Sequence, residues 1–166
     1  MSGPSPVGTG FTFQFPDSDG VHYVTRSGMR LRKQVTISGS VAIKGTPVFE
    51  RRDTCSGKAE ARVYLQRRGD NWTAQGDYQY YRWWYRKPVE IKSGSFWLVA
   101  PLDDKANWSS VYGKTAADAP GQLRAALNDM GRIGLTFGGG CSYGHGVWVK
   151  PGTGSATFTV HSFTAE

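Results

Sequence analysis

The chain has 166 residues, which is enough for one domain with a sizeable core. Glycine is abundant at 22 residues, aromatic residues make up 13 %, and long apolar helical runs are missing, so the composition favours an all-β sandwich or barrel. Lys and Arg number 20 against 13 Asp and Glu, and the net charge of +7 favours anionic partners. No run is long enough to span a bilayer, and two cysteines are too few for a disulfide scaffold.

The first ten residues are rich in Pro and Gly, and we predict that residues 1–10 form a flexible N-terminal segment before one domain over residues 11–166. This segment lacks the apolar stretch behind positive charge that marks a signal peptide. We therefore expect the protein to be cytoplasmic, or associated with a virion that leaves the cell by lysis. Reduced thiols are the default in such a compartment. Whether Cys55 and Cys141 pair, within the chain or between chains, stays open.

Period-two alternation predicts most strands of the first half. It covers four segments, namely Phe11 to Phe15, Val21 to Thr25, Lys33 to Lys44 and Ala59 to Arg68. The segment from Asp77 to Arg86 reads as a further strand, in which six of the ten residues are aromatic and two are arginine.

The second half begins with the nearly continuous apolar run Phe96 to Leu102, which is typical of a buried strand. One short helix follows, because Asp118 can cap it, Pro120 suits its first turn and Gly131 ends it. Three more strands are predicted at Ile133 to Phe137, Val147 to Val149 and Ala156 to Phe163.

The strands Ala59 to Arg68 and Asp77 to Arg86 are separated by a short polar turn, so we expect them to be antiparallel neighbours. Their alternation sends Ala61, Val63 and Leu65 to one face and predicts that Tyr81, Trp83 and Tyr85 anchor the core. The opposite face combines arginine with aromatic rings, which suits a half-solvated binding surface. Its members are Arg62, Tyr64, Gln66, Tyr80, Arg82 and Trp84.

A catalytic apparatus is hard to find in this sequence. The glycine-rich segment Gly138 to Gly146 lacks the signature of a phosphate-binding loop and the spacing of a nucleophile elbow. Cys141 and His145 could form a thiol and its base. We instead interpret the glycines as positions of close backbone approach, and His145 as a ligand contact or a polar group satisfied by its loop.

Metal sites and cofactors are not predicted. The three histidines have no paired spacing for zinc, and Asp17 and Asp19 before Gly20 form an ordinary turn more readily than a calcium loop. Asn71-Trp72-Thr73 and Asn107-Trp108-Ser109 match glycosylation sequons, which we attribute to chance.

Aromatic rings interleaved with arginine can stack bases and hold phosphates, but they can also stack sugar rings and bind hydroxyls. The sequence contains no recognisable RNA-binding signature, and nucleic acid is the less favoured ligand.

Several motifs occur in a recognisable order. They are Tyr80-Tyr81-Arg82-Trp83-Trp84, Val99-Ala100-Pro101-Leu102, Trp108-Ser109-Ser110-Val111-Tyr112-Gly113, the short helix and Ile133-Gly134-Leu135-Thr136-Phe137-Gly138-Gly139-Gly140. Over residues 60 to 164 this order resembles the second half of a galactose-binding-like jelly roll. It is also similar to small bacterial and phage-encoded proteins with a Phe-Gly-Gly-Gly then Gly-His-Gly ending. The resemblance implies a two-sheet sandwich whose concave face, in carbohydrate-binding relatives, holds sugar through aromatic and arginine side chains, and it implies no catalytic residues.

We therefore predict a two-sheet antiparallel β-sandwich of the jelly-roll type with one short helix. The predicted function is non-catalytic carbohydrate binding through Arg62, Tyr64, Gln66, Tyr80, Arg82, Trp84 and His145. The first alternative is a structural subunit of a phage virion, a decoration or appendage protein that packs this face on a neighbouring chain. The second is an enzyme that uses Cys141 or His145.

Overall fold

Strands account for 49 % of the residues in the computed structural model and helix for 11 %, which confirms the all-β class with one short helix. The structure describes residues 10–52, 55–141 and 143–166, together with the backbone of residues 5 and 6. The predicted flexible segment, residues 1–10, lies largely outside the described residues.

One sheet contains four antiparallel strands. In spatial order they are β2 (Phe11–Gln14), β13 (Gly154–Ala165), β4 (Gln34–Gly45) and β9 (Gly94–Pro101).

A larger sheet lies opposite, and its strands are antiparallel except for the first pair. In spatial order they are β1 (Ser5–Pro6), β3 (Tyr23–Arg26), β11 (Met130–Gly138), β6 (Glu60–Arg67), β7 (Arg82–Tyr85) and β10 (Trp108–Ser110), while β8 (Val89–Glu90) also pairs with β6. A separate two-stranded ribbon joins β5 (Phe49–Arg51) to β12 (Val147–Val149).

The connection of the strands is that of a jelly roll. If β2, β3, β4, β6, β7, β9, β11 and β13 are numbered one to eight along the chain, the two sheets have the orders 1-8-3-6 and 2-7-4-5. Each order belongs to a pair of Greek keys wrapped around a common core. The topology thus joins strands that are far apart in the sequence, because the last strand pairs with the first and third.

The core between the sheets is built from the alternate side chains that the sequence assigned to it. Ala61, Val63 and Leu65 are fully buried there, as predicted, and Trp83 and Tyr85 join the same cluster. Their burial removes large apolar areas from water, and each Å² of buried apolar surface stabilises the fold by about 25 cal/mol.

The aromatic stretch Asp77 to Arg86 is a strand only in its second half, which corrects the prediction. Gly76–Tyr80 forms a 3₁₀ helix, and β7 begins at Arg82. The Tyr80 ring stacks on Trp83 and packs against the core, while the indole N–H of Trp83 donates to the Tyr80 carbonyl at 2.8 Å. Tyr80 therefore does not share the face of Arg82 and Trp84. Tyr81 is half-buried against Tyr78 instead of anchoring the core.

The apolar run Phe96 to Leu102 is not a fully buried strand, which is a second correction. Its strand β9 pairs with β4 at the end of the four-stranded sheet. Leu98 and Ala100 face the core, whereas Trp97 is 66 % exposed on the outer face. A continuous apolar run does not reveal which strand of a sheet lies at its edge.

Among the described residues the single α-helix is α1 (Pro120–Asn128), which begins at the predicted proline and buries Leu123 and Ala126. The predicted cap is wrong. The carboxylate of Asp118 accepts hydrogen bonds from the hydroxyl and the backbone N–H of Thr115, and these bonds close a turn that precedes the helix. In the described part of the chain, no helix is long and apolar enough to cross a membrane.

Asp104 ties the end of β7 to the turn before β10. Its carboxylate accepts from the Tyr85 hydroxyl at 2.6 Å, the Lys87 amine at 2.9 Å and the Asn107 amide at 2.8 Å. These donors, with Tyr85 first, lower the pKa of Asp104 from 3.8 to about 2. Burial, and after it the same hydrogen bond to Asp104, raises the pKa of Tyr85.

We expect Asp104→Asn to lower the free energy of unfolding at pH 7 by about 1–3 kcal/mol, because an amide cannot accept from all three donors. Since the pKa of Asp104 is lower in the folded state, its contribution is complete above pH 4 and is lost between pH 4 and pH 2. Urea unfolding at pH 7 and pH 2.5 measures this. A difference between wild type and variant that is as large at pH 2.5 as at pH 7 would contradict the assignment.

Candidate functional site

The outer face of the larger sheet carries most of the predicted binding residues. As expected, β6 and β7 are antiparallel neighbours, and their register sets Tyr64 opposite Trp84 and Gln66 opposite Arg82. Tyr23 from β3 completes this layer, since its ring lies 4.8 Å from that of Tyr64, which in turn lies 5.5 Å from Trp84. The three rings form a buried aromatic cluster outside the main core.

A pocket of about 610 Å³ opens above this layer. Ligand sites for small molecules have volumes of roughly 300–1,000 Å³, so its size suits a small ligand. Its wall comes from β3, β7, β10 and six loops. The lining residues are His22, Tyr23, Arg52, Trp72, Arg82, Trp84, Arg86, Ser109, Ser110, Val111, Tyr112, Gly113, Cys141, Tyr143, Gly144 and His145.

Two exposed aromatic side chains belong to the pocket wall. Trp72 is 37 % exposed and Tyr112 is 66 % exposed. Trp72 has a backbone φ of +66°, a left-handed conformation that is uncommon for a bulky residue. Strain of this kind is concentrated at functional sites. Its ring lies 5.7 Å from that of Tyr23, and the Arg82 guanidinium lies 5.0 Å from it.

Asp70 holds this loop and the sheet together. Its carboxylate accepts from the backbone N–H of Trp72 at 3.0 Å and from the Gln66 amide at 2.8 Å. The same carboxylate lies 2.9 Å from Nε of Arg82. The Nε–H is not directed at the carboxylate, so the two groups form an ion pair without a hydrogen bond. Because the Asp70 side chain is only 1 % exposed, the pair is protected from solvent screening.

Several buried donors at the pocket lack acceptors. Nη2 of Arg82, Nε1 of Trp84 and Oγ of Ser110 have no hydrogen-bond partner within the described ranges. A buried polar group without a partner costs about 1–3 kcal/mol, and more when it is charged. The wall therefore favours a ligand with acceptor atoms.

The predicted residues divide into a contact layer and a supporting layer. Arg82, Trp84 and His145 line the pocket, and His145 is exposed there. Tyr64 and Gln66 lie beneath it, buried on the same sheet face. Burial also raises the pKa of Tyr64 well above its usual value.

Arg62 also belongs to the supporting layer. Its guanidinium stacks on the Tyr143 ring at 3.7 Å, donates to the Arg86 carbonyl at 3.1 Å and forms an ion pair with Glu60. Burial lowers the pKa of Arg62, and Tyr143 and Glu60 oppose that effect. Arg62 thus holds the loop that carries Tyr143 against the sheet.

Pocket residues absent from the predicted site include Trp72, Tyr112, Arg86 and His22, although alternation already places Arg86 on the face of Arg82 and Trp84. Asn71-Trp72-Thr73 appeared only as a chance sequon, and no residue type in it signals a left-handed tryptophan. The turn-forming Asp70 and Asn71, which accept hydrogen bonds from Trp72 and Thr73, were the available signal.

The glycine-rich segment forms the opposite wall, and a disulfide between Cys55 and Cys141 holds it, with a Cα separation of 5.9 Å. The sequence left this pairing open. Because Cys141 is disulfide-bonded, it has no free thiol in this structure. Groups of three or more His, Cys, Asp or Glu that could hold a metal are absent from the described residues.

Glycine is required on both sides of His145 for packing reasons. A Cβ at Gly144 would lie 2.6 Å from the Tyr23 hydroxyl, and one at Gly146 would lie 2.9 Å from the His22 ring. Both residues also have positive φ. The two nitrogens of His22 each lie 3.0 Å from a carbonyl oxygen, one that of Gly144 and the other that of Asp19.

The comparisons with known proteins return no relative. The chain matches no protein-family model, no curated protein and no solved structure. Function is therefore argued from the chemistry of the pocket itself.

We expect loss of the disulfide to lower stability and loosen the pocket wall. The bond joins residues 86 apart, so a Cys55→Ser/Cys141→Ser double variant should lose about 2–4 kcal/mol of unfolding free energy. Hydrogen exchange should accelerate most in residues 138–146. Mass spectrometry with and without reductant verifies the bond, and unchanged exchange in this segment would show that the disulfide does not hold the wall.

Proposed function

We propose that the protein is a non-catalytic binding module for carbohydrate, and that the pocket over the larger sheet is its site. The observation that carries the proposal is the combination of two exposed aromatic rings, Trp72 and Tyr112, with buried donors in one pocket wall. A sugar presents an apolar ring face and a rim of polar oxygens. Aromatic rings stack on the apolar face, and hydrogen-bond donors bind the oxygens.

The wall is built to keep these groups in place without a ligand. Asp70 fixes the Trp72 loop to β6 and β7, and the disulfide fixes the opposite loop. A preorganised site spends less free energy on ordering its side chains when it binds. The buried Tyr23, Tyr64 and Trp84 rings make the floor rigid.

The exposed Trp97 provides a matched control for the test. Trp72→Ala should weaken binding to glycans by about tenfold or more, because it removes a stacking surface worth more than 1 kcal/mol. Trp97→Ala removes the same residue type from the other sheet and should bind like wild type. A glycan array identifies the ligand, and isothermal titration measures affinity. An array without hits for the folded wild type would contradict the function, as would equal loss in both variants.

A structural subunit of a virion is the second candidate. The sequence analysis assigned its contact to the arginine and aromatic face, whereas strand β9 of the other sheet is the observation that now favours it. This strand carries no charged residue, lies at the end of its sheet and exposes Trp97. An uncharged edge strand invites pairing with another chain. The disulfide also supports a location outside a reducing cytosol.

Assembly makes a separate prediction. If β9 mediates it, sedimentation should show self-association or co-sedimentation with capsid proteins that Trp97→Asp abolishes. Trp72→Asp is the control and should leave assembly unchanged. A monomer at all concentrations, alone and beside capsid proteins, would rule this candidate out.

A further inference from the structure

We propose that the sugar bound in the pocket is acidic, with an oxyanion seated against Arg82, Trp84 and Arg86. This inference rests on the proposed carbohydrate function and adds the chemical class of the ligand. Carboxylate, as in a uronic acid, and sulfate ester share the required chemistry, since both present several acceptor oxygens and a negative charge.

The charges around the pocket leave a positive balance. Three arginines line it, and neighbouring carboxylates balance two of them, because Arg52 pairs with Asp19 and Arg82 pairs with Asp70. The guanidinium of Arg86 has no carboxylate partner in the part of the chain that the structure describes. Arg52 and Asp19 are largely exposed, so their pairing is weak and easily exchanged for a ligand anion.

The hydrogen-bonding groups of the wall point to the same class. Among the described lining residues there is no carboxylate and no Asn or Gln amide, so the side-chain acceptors are limited to hydroxyls and imidazole nitrogens. Arg82 Nη2 and Trp84 Nε1 can only donate, and both lack an acceptor within the described residues. The hydroxyls of a sugar donate as well as accept, whereas a carboxylate or sulfate group adds oxygens that only accept.

The strand geometry brings these donors toward one place. Arg82, Trp84 and Arg86 alternate along β7 and its continuation, and all three line the pocket. The planar fork of a guanidinium suits two oxygens of one carboxylate or sulfate. Nη2 and Nε1 are buried, whereas Arg86 is exposed and can meet an oxyanion directly. Asp70 holds the backbone of Trp72 and not its indole ring, so a rotation of that exposed side chain, which lies over Arg82, would uncover Nη2.

The test compares matched ligands on the intact protein. Isothermal titration or ligand-observed NMR is run with methyl glycosides of glucose, glucuronic acid and glucose 6-sulfate, with the corresponding galactose series, and with a single-stranded oligonucleotide. The expected result is that at least one acidic sugar binds about tenfold or more tightly than its neutral parent, as for a charge-assisted hydrogen bond. This preference should shrink as NaCl rises toward 1 M, where the Debye length is about 3 Å.

Two variants connect the preference to the pocket. Arg86→Gln should weaken binding of the acidic sugar by about fivefold while leaving its neutral parent within about twofold, since one exposed charge is lost. Arg124→Gln removes an equal charge from the exposed face of α1 and is the control. Arg82→Lys keeps a positive charge beside Asp70 but loses the fork, so it should weaken the acidic sugar more than its neutral parent. Thermal unfolding shows whether that variant is folded.

The outcomes distinguish the preference for an acidic sugar from the proposed carbohydrate binding on which it rests. Equal affinity for neutral and acidic sugars overturns the acidic class and leaves carbohydrate binding intact. Binding of the oligonucleotide alone, or of no glycan on the array, overturns both. Acidic preference that Arg86→Gln and Arg124→Gln reduce equally also overturns the assignment, because the charge would then act from the whole surface instead of the pocket.

Discussion

The buried carboxylate of Asp70 is the constraint on which the candidate site depends. It joins β6 through Gln66, β7 through Arg82 and the following loop through the backbone of Trp72. A carboxylate taken out of water has a large desolvation penalty, which several donors must offset. Here two hydrogen bonds, from Gln66 and the Trp72 backbone, and the cation of Arg82 offset the charge. These groups belong to three separate segments, so their contacts with Asp70 also fix the position of a strained tryptophan beside an arginine.

The opposite wall depends on a different kind of restraint. The glycine-rich segment has little side-chain surface to bury, so its position comes from the disulfide, from the hydrogen bonds of His22 and from Tyr143 packed on Arg62. Gly144 approaches Tyr23 so closely that no side chain fits between them. One wall is thus held by charge and hydrogen bonds, and the other by a covalent bond and close packing. Both stand on a rigid aromatic floor, which separates the pocket from the core that stabilises the fold.

The local sequence pattern was sufficient to predict strand pairing where two strands follow each other in the chain. The pairing of β6 with β7 follows from two alternating segments and a short polar turn, and it brings Tyr64 and Gln66 beside Trp84 and Arg82. The prediction that Tyr80 shares the face of Arg82 and Trp84 was wrong, because periodicity cannot show where an extended segment gives way to a 3₁₀ turn. There, the packing of the Tyr80 ring on Trp83 outweighs the strand preference of the aromatic run. The prediction that the apolar run around Trp97 is buried was wrong for a related reason. Whether a strand is buried depends on which strands flank it in the folded sheet.

The sequence by itself determined the all-β class, the core face of Ala61, Val63, Leu65 and Trp83, and the aromatic and arginine character of one sheet surface. These properties depend on alternation within a strand, which residue order states directly. Only the tertiary structure decided that Trp72, Tyr112 and the segment around His145 meet above that surface, and that Cys55 joins Cys141. Jelly-roll topology brings together loops from distant parts of the chain, and their positions depend on a buried charge, positive φ angles and close glycine contacts that no local pattern encodes.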